Sequence, residues 1–517
     1  MRIADYLDTT ASRSPALEAL VFGDVRMSYA QVQAYAHAIA HALRRTPGLQ
    51  VGSHVGIFSP NDHRVQLVQL GINRADMAWA PLHDRNAVAT NAQLADYLDC
   101  EAMFFHSVHE AAVAQLKTGL PRVRAWVCLD ANSSHGPSLE AWLEGAWQPF
   151  GFEVPDLERR AGLYPTGGTT GVSKGVIHSL RSLAFITMTL IDAWALGRGT
   201  RLLTVAPLSH AAGTLAMSII PNGGVNVIHS GFDAQAVLET IAAERITHLF
   251  LPPTALYALM AHPAASGTDF TSLRSMVIGA APVAPAKFLQ AIALFGPVMY
   301  EVYAQTETGM PVLSKTPADY LRPDGTVDED VVRSAGRAGP FMRVEIVDEE
   351  GQPVPTGQRG EIATRSSMLM SGYYKLENET SAVRRNGFHL TGDIGVMDAR
   401  GYVTVVDRKK DMIVTGGFNV YPAEVESALY AHEDIVDCIV IGIPDEKWGE
   451  AVHALVQLKP GRTRGPEEFV EFCKERIGSL KSPKVVEIVA ALPRSPVGKL
   501  LRREARARYW EGHWRSV

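Results

Sequence analysis

Apolar residues recur at helical spacing in the opening segment (Ile3, Leu7). They do so again along Val32, Tyr35, Ile39 and Leu43, with Ser28 placed to cap the second of these helices. Between them, residues 20–22 and 27–29 flank Gly23 and Asp24, the pattern of a short hairpin. The apolar run 55–58 followed by mixed periodicity from about Asp62 to Asn73 predicts a buried strand and then a helix. Strand-like runs return at 103–105, 125–129, 202–206, 225–228 and 248–251. This alternation predicts the α/β class, with layers built on largely parallel sheets.

From about residue 335 the pattern changes. Residues 343–347 and 360–363 read as strands of a smaller antiparallel unit, and 401–406 as another. The last of these runs into five charges, Asp407-Arg408-Lys409-Lys410-Asp411, either a solvated turn or a linker. Beyond it, a helix from Ala423 to about Ala431, a strand at 438–443 and a helix near 467–477 predict a small α+β domain.

Length and charge narrow the class. A chain of 517 residues exceeds a single core, so several domains or subdomains are expected. The net charge of −6 gives no electrostatic footprint for nucleic acid. Cys100, Cys128, Cys438 and Cys473 are scattered, without metal-ligand or disulfide spacing. The N-terminus carries acids and lacks an apolar signal core, and no apolar stretch reaches membrane-span length. The expectation is a cytoplasmic protein without an integral membrane segment.

The chemistry concentrates first in Thr166-Gly167-Gly168-Thr169-Thr170-Gly171-Val172-Ser173-Lys174. Glycines let backbone N–H groups approach an anion, while threonine hydroxyls and the Lys174 ammonium add donors suited to phosphate. The order Ser173-Lys174-Gly175 is not that of a Walker loop, which has Gly before the lysine and Ser or Thr after it. A plain flexible turn is the competing reading.

Further segments follow in order: 279–282 (Gly-Ala-Ala-Pro), 303–307 (Tyr-Ala-Gln-Thr-Glu), Thr391-Gly392-Asp393, the 407–411 run, Gly416-Gly417 through Glu426, and 493–499 ending on Lys499. Together with the phosphate loop this ordered set, spanning nearly the whole chain, resembles the adenylate-forming superfamily, in its acyl-CoA synthetase branch. The resemblance implies a large multi-subdomain α/β N-terminal domain (1–407) that binds AMP, ATP and the acid. A small mobile α+β C-terminal domain (408–517) would turn about a hinge at Lys410. It implies an ATP-dependent acid–CoA ligase acting on an aliphatic or aromatic carboxylic acid through an acyl-AMP, with ATP and CoA as co-substrates and Mg²⁺ accompanying ATP.

On that resemblance Thr166, Gly168, Thr169, Thr170, Gly171 and Lys174 grip phosphate, and Tyr303, Ala280, Ala281 and Glu301 border the adenine. Asp393 and Arg408 take the ribose or phosphate, and Thr306 and Glu307 act at the reacting phosphate, with Glu307 the natural Mg²⁺ ligand. Lys499 stabilises charge during adenylation and is withdrawn for thiolysis, when Gly416 and Gly417 let the pantetheine arm pass. His210 resembles a position near the acyl site, where Ala211, Ala212 and Gly213 leave space for the acyl group, and apolar segments 250–251 and 310–313 are candidate lining. Departures from the family pattern are Gly167 for serine, Ser173 for proline, Ala304 for glycine, and 376–380 in place of a Pro-Glu element. None removes a charge the mechanism needs. Two rivals stay open: transfer of the acyl group to a carrier-protein pantetheine, and a catalytically silent nucleotide-binding protein. A homodimer is open too.

Overall fold

The computed structural model describes residues 2–151, 153–166, 174–415, 418–445, 448–494 and 500–511. Gly168, Thr169, Thr170, Gly171, Gly416, Gly417 and Lys499 therefore lie outside the described residues. The chain falls into two compact units. One contains residues up to 166, 174–344 and 364–389, and the other 345–363 and 390 onward.

Two sheets organise the first unit. In the seven-stranded sheet, His54–Phe58 runs parallel between Ala78–Leu82 and Cys100–Phe105, and Ala125–Cys128 closes one side. On the other side Arg160–Thr166 pairs parallel to Ala78–Leu82 and then turns back antiparallel into Lys174–Ser179, whose edge is covered by Gly372–Tyr373. In the nine-stranded sheet, Met299–Gln305, Ser275–Ile278, His248–Leu251, Arg201–Thr204, Val225–Ile228 and Glu18–Phe22 are successive parallel neighbours. Antiparallel strands, among them Gly309–Lys315 and Val25–Ser28, finish its two sides. Strands buried on both faces, such as His54–Phe58 and Val225–Ile228, explain the continuous apolar runs.

Local chemistry sets the element ends. The hairpin turns at Gly23, whose φ of +56° lies in the left-handed region. Ser28 and Gln31 form a capping box that starts helix Tyr29–Arg45, and Asp62 caps His63–Arg74.

The second unit begins with antiparallel pairing of Phe388–Met397 against Val403–Arg408. It ends in a five-stranded sheet centred on the long pair Ile435–Asp445 and Gly449–Leu458, with helices Pro422–Tyr430, Pro466–Lys481 and Arg502–Trp510. The five-charge run is not wholly a solvated turn. Asp407 ends up buried within a strand, where it accepts from the Ala423 N–H at 2.7 Å. Only Lys409–Asp411 forms a short helical turn. The basic C-terminal helix is likewise not simply solvated. Arg502 is engaged with Glu426 at 2.6 Å, Asp411 at 3.2 Å and Asp407 at 3.6 Å. All four cysteines are free and buried.

Gly213 departs from its expected role. A Cβ there would stand 2.0 Å from the Leu208 carbonyl oxygen, so the glycine permits close backbone approach rather than leaving room for a ligand. Gly213→Ala is expected to lower unfolding stability by about 1–3 kcal/mol through overpacking, read as a lower denaturation midpoint. An unchanged midpoint would contradict this packing.

Candidate active site

In parallel sheets, ligands gather beyond the carboxyl ends of the strands. The first unit places chemistry there on both sheets. Strand Ser275–Ile278 leads to Ala280 and Ala281, Met299–Gln305 carries Tyr303 and leads to Thr306 and Glu307, and Arg201–Thr204 leads to His210. Ala280 adopts φ of +69°, uncommon for a residue with a Cβ and the sort of strain found where a loop is shaped for a ligand. Glu301 is committed elsewhere: its carboxylate pairs at 2.7 Å with Lys315, which is fully buried. Any contact it makes with a base would use its other atoms.

On the seven-stranded sheet, Arg160–Thr166 ends at Thr166 and Ala78–Leu82 ends at His83, next to it in register. The two edges are braced together. Asn61, beyond strand His54–Phe58, donates to the Ala206 carbonyl at 2.9 Å and accepts from the Leu208 N–H at 2.8 Å, which fixes the approach to His210. The His83 and His210 rings meet edge-on with centroids 5.1 Å apart. His83 Nδ1 lies 3.1 Å from the Arg85 N–H, which donates to it, and 3.2 Å from Asp84 Oδ1. The buried His83 Nε2 has no hydrogen-bond partner among the described residues. His210 itself is open to solvent on one side but crowded by protein, and desolvation, then the neighbouring His83, pushes its pKa down to about 4. It is therefore a neutral imidazole at physiological pH.

A second brace holds Thr306 and Glu307. His178 is a neutral, fully enclosed ring whose Nδ1 meets Ser182 Oγ at 3.0 Å. Its Nε2 lies 2.7 Å from the Thr306 carbonyl oxygen, to which it donates. The Met370 N–H donates to the Glu307 carbonyl at 2.8 Å, and the Tyr373 hydroxyl donates to Glu307 Oε1 at 2.9 Å. Lys174 Nζ rests 4.6 Å from the centre of the same Tyr373 ring. Thr166, Lys174, Thr306 and Glu307, far apart in sequence, are thus gathered about one edge.

Glu307 Oε2 accepts no hydrogen bond from a described residue. A half-buried carboxylate near the Lys174 ammonium suits Mg²⁺, which takes one or two carboxylates and shares phosphate oxygens. Among the described residues no group of three or more His, Cys, Asp or Glu side chains is arranged to hold a metal by itself, and a Mg²⁺ carried on nucleotide requires none.

In the second unit, Asp393 and Arg408 face each other in antiparallel register, with Nε and Oδ1 3.6 Å apart. Glu361, not anticipated from sequence, accepts from the Gly392 N–H at 2.9 Å and from Lys409 at 3.1 Å, fixing the turn before Asp393. Lys410 lies in the short helical turn, its pKa lowered by burial and by Arg408. The flanks of the Lys499 segment, Arg494 and Leu500, pair as an antiparallel bridge.

A family profile described as AMP-binding enzyme matches residues 7–374, and one for the C-terminal domain of AMP-binding enzymes matches 424–499. The chain belongs to the AMP-binding enzyme family. A medium/long-chain fatty-acid–CoA ligase, FadD8, of Mycobacterium tuberculosis is 38% identical over 380 residues, covering 72% of this chain and 65% of that enzyme. A feruloyl-CoA synthase of an Amycolatopsis species is 33% identical over 503 residues, covering 96% of this chain and 97% of the relative. The structure of the amide bond synthetase McbA from Marinactinospora thermotolerans matches with a TM-score of 0.87 at 30% identity, over 98% of this chain and 100% of that one. This AMP-binding enzyme is an AMP-forming acid–thiol ligase of the acyl-CoA synthetase branch, with ATP and CoA as substrates. Among its described residues no helix is long and apolar enough to cross a membrane.

Desolvated neutral histidines, His210 among them, set a pH dependence of folding. His37, His248 and His389 share with His210 a pKa held down to about 4, chiefly by burial. Unfolded, such rings take up a proton near pH 6.5. Folded, they do not until about 4, so between these values the unfolded chain binds more protons and stability falls as pH drops. Urea midpoints are expected to be lower at pH 5.5 than at 7.5, and equal midpoints would contradict the neutral burial of these rings.

Proposed function

We propose that this ligase activates a carboxylic acid with a substantial apolar body, aliphatic or aromatic. The observation that carries the reading is the joint placement of Lys174 and Glu307 on Tyr373, with the neighbouring Thr306 held by His178. A carboxylate oxygen of the acid attacks the α-phosphorus of ATP, the bond to the β-phosphate breaks, and pyrophosphate leaves. The CoA sulfur, losing its proton, then attacks the acyl carbon and AMP departs.

Lys174 and the phosphate loop position the leaving pyrophosphate, so that alignment supplies part of the acceleration. Glu307 would hold Mg²⁺, whose charge offsets that of the phosphates when it is bound. Tyr303, Ala280 and Ala281 receive the base, and Asp393 and Arg408 receive the ribose. His210, uncharged, borders the acyl group without placing a cation there, and Lys499 supplies positive charge for the first step. The fatty-acid and feruloyl relatives support both acid classes.

The deciding experiment is a panel of fatty and aryl acids, read by pyrophosphate release with and without CoA. Acid-dependent release, with an acyl-CoA formed only when CoA is added, is expected. No release with any acid would overturn the reading, and turnover with a carrier protein but not with CoA would favour the carrier-loading rival. Lys499→Ala is expected to reduce acyl-AMP formation at least a hundredfold, on the order of one lost preorganised charge, while supplied acyl-AMP is still converted by CoA. Equal loss of both steps would contradict the two-position role of Lys499.

A further inference from the structure

Tyr373 touches both charged groups on the phosphate side of the site. Its hydroxyl donates to Glu307 Oε1 at 2.9 Å, and its ring lies 4.6 Å beneath the Lys174 ammonium. Neither contact is incidental to a loose loop. Tyr373 is buried and belongs to the short strand Gly372–Tyr373, in register with Val176 of the strand that begins at Lys174. Its own N–H donates to Thr380 Oγ1 at 2.8 Å, and that hydroxyl in turn donates to the Leu376 carbonyl at 2.8 Å. The neighbouring amides of Ser371 and Tyr374 bond to the carbonyls of Ile177 and Gly175 at 2.9 and 2.8 Å. The phenol is therefore held to the phosphate-loop strand from several sides and has little freedom to follow Glu307 or Lys174 if they move.

Chemistry gives the contacts direction. A phenol facing a carboxylate is the donor of the pair, so the Tyr373 hydroxyl donates to Glu307. A donor on Oε1 orients the carboxylate plane and leaves Oε2 as the oxygen for a cation. The electron-rich ring face separately attracts the ammonium of Lys174. We propose that Tyr373 is a positioning residue that sets Glu307 for the Mg²⁺ of MgATP through its hydroxyl and steadies Lys174 for the phosphates through its ring. This rests on the ligase reading above and extends it to a side chain that the reaction does not itself touch.

The two contacts are separable. Tyr373→Phe removes the hydroxyl and keeps the ring, whereas Tyr373→Leu removes both. Calorimetric titration of the full chain with ATP, in Mg²⁺ and in EDTA, reads metal-dependent and metal-independent binding without relying on turnover. Tyr373→Phe is expected to cut the Mg²⁺-dependent gain in affinity roughly tenfold, the scale of one hydrogen bond to a charged group, with binding in EDTA unchanged. Tyr373→Leu is expected to weaken binding in EDTA as well, about two- to fivefold, the scale of a cation–π contact.

If the hydroxyl acts through the carboxylate, adding Tyr373→Phe to Glu307→Gln causes no further loss. The melting temperature of Tyr373→Phe should match the wild type within a few degrees, as expected when no volume is lost. A wild-type Mg²⁺ gain in Tyr373→Phe, or losses that add fully in the double variant, would overturn the proposal. Failure of the unmodified chain to bind ATP at all would instead overturn the ligase reading.

Discussion

The turn at residues 305–308 is fastened to the edge of the seven-stranded sheet by three hydrogen bonds, although it belongs by chain to the nine-stranded one. His178 holds the Thr306 carbonyl, the Met370 amide holds that of Glu307, and Tyr373 holds the Glu307 carboxylate. Each bond is worth only about 1 kcal/mol net, but an unmet polar group in this enclosed position would cost more. The constraint therefore works by exclusion: other placements of the turn leave buried donors or acceptors without partners. Because Lys174 begins the strand that provides the anchor, Lys174 and the Glu307 carboxylate are set in one frame. Asn61 performs the corresponding task on the acyl side, tying the segment before His210 to the end of a strand in the other sheet.

Much of this framework was legible in the sequence because its signals are local. The strands at 225–228 and 248–251 occupy the expected residues, the hairpin turns at Gly23, and Ser28 caps the following helix. The ligase chemistry was legible because its residues lie in compact ordered segments. Tyr373, His178, His83 and Asn61 were not. Their partners across the site stand 66 or more positions away, in register positions that only the two sheets create. A buried tyrosine in Gly-Tyr-Tyr has no local mark that separates an anchor from ordinary core. Gly213 shows the reverse error: small size suggested room for a ligand, whereas a carbonyl oxygen already fills the space.

In the second unit, charge is used for a different purpose. Arg502 gathers Glu426, Asp407 and Asp411, so that the run which looked like a free linker is tied to the last helix. Burial opposes the guanidinium charge, but the surrounding carboxylates outweigh it and raise its pKa, while Asp407 and Glu426 are themselves pushed upward by desolvation. Such a cluster is costly to leave half-made, since removing one partner strands buried charge. It places ionic pairing on both sides of Lys410, the residue proposed as the hinge.

The central claim is that the protein's own hydrogen bonds fasten the 305–308 turn to the edge of the seven-stranded sheet. Amide hydrogen exchange at Met370 tests it directly, because this N–H donates to the Glu307 carbonyl and reports whether the turn is docked. Strong protection of Met370 in the free protein, little altered by ATP, is the predicted result. Rapid exchange that slows only when nucleotide is added would show that ligand assembles the site, contradicting the account.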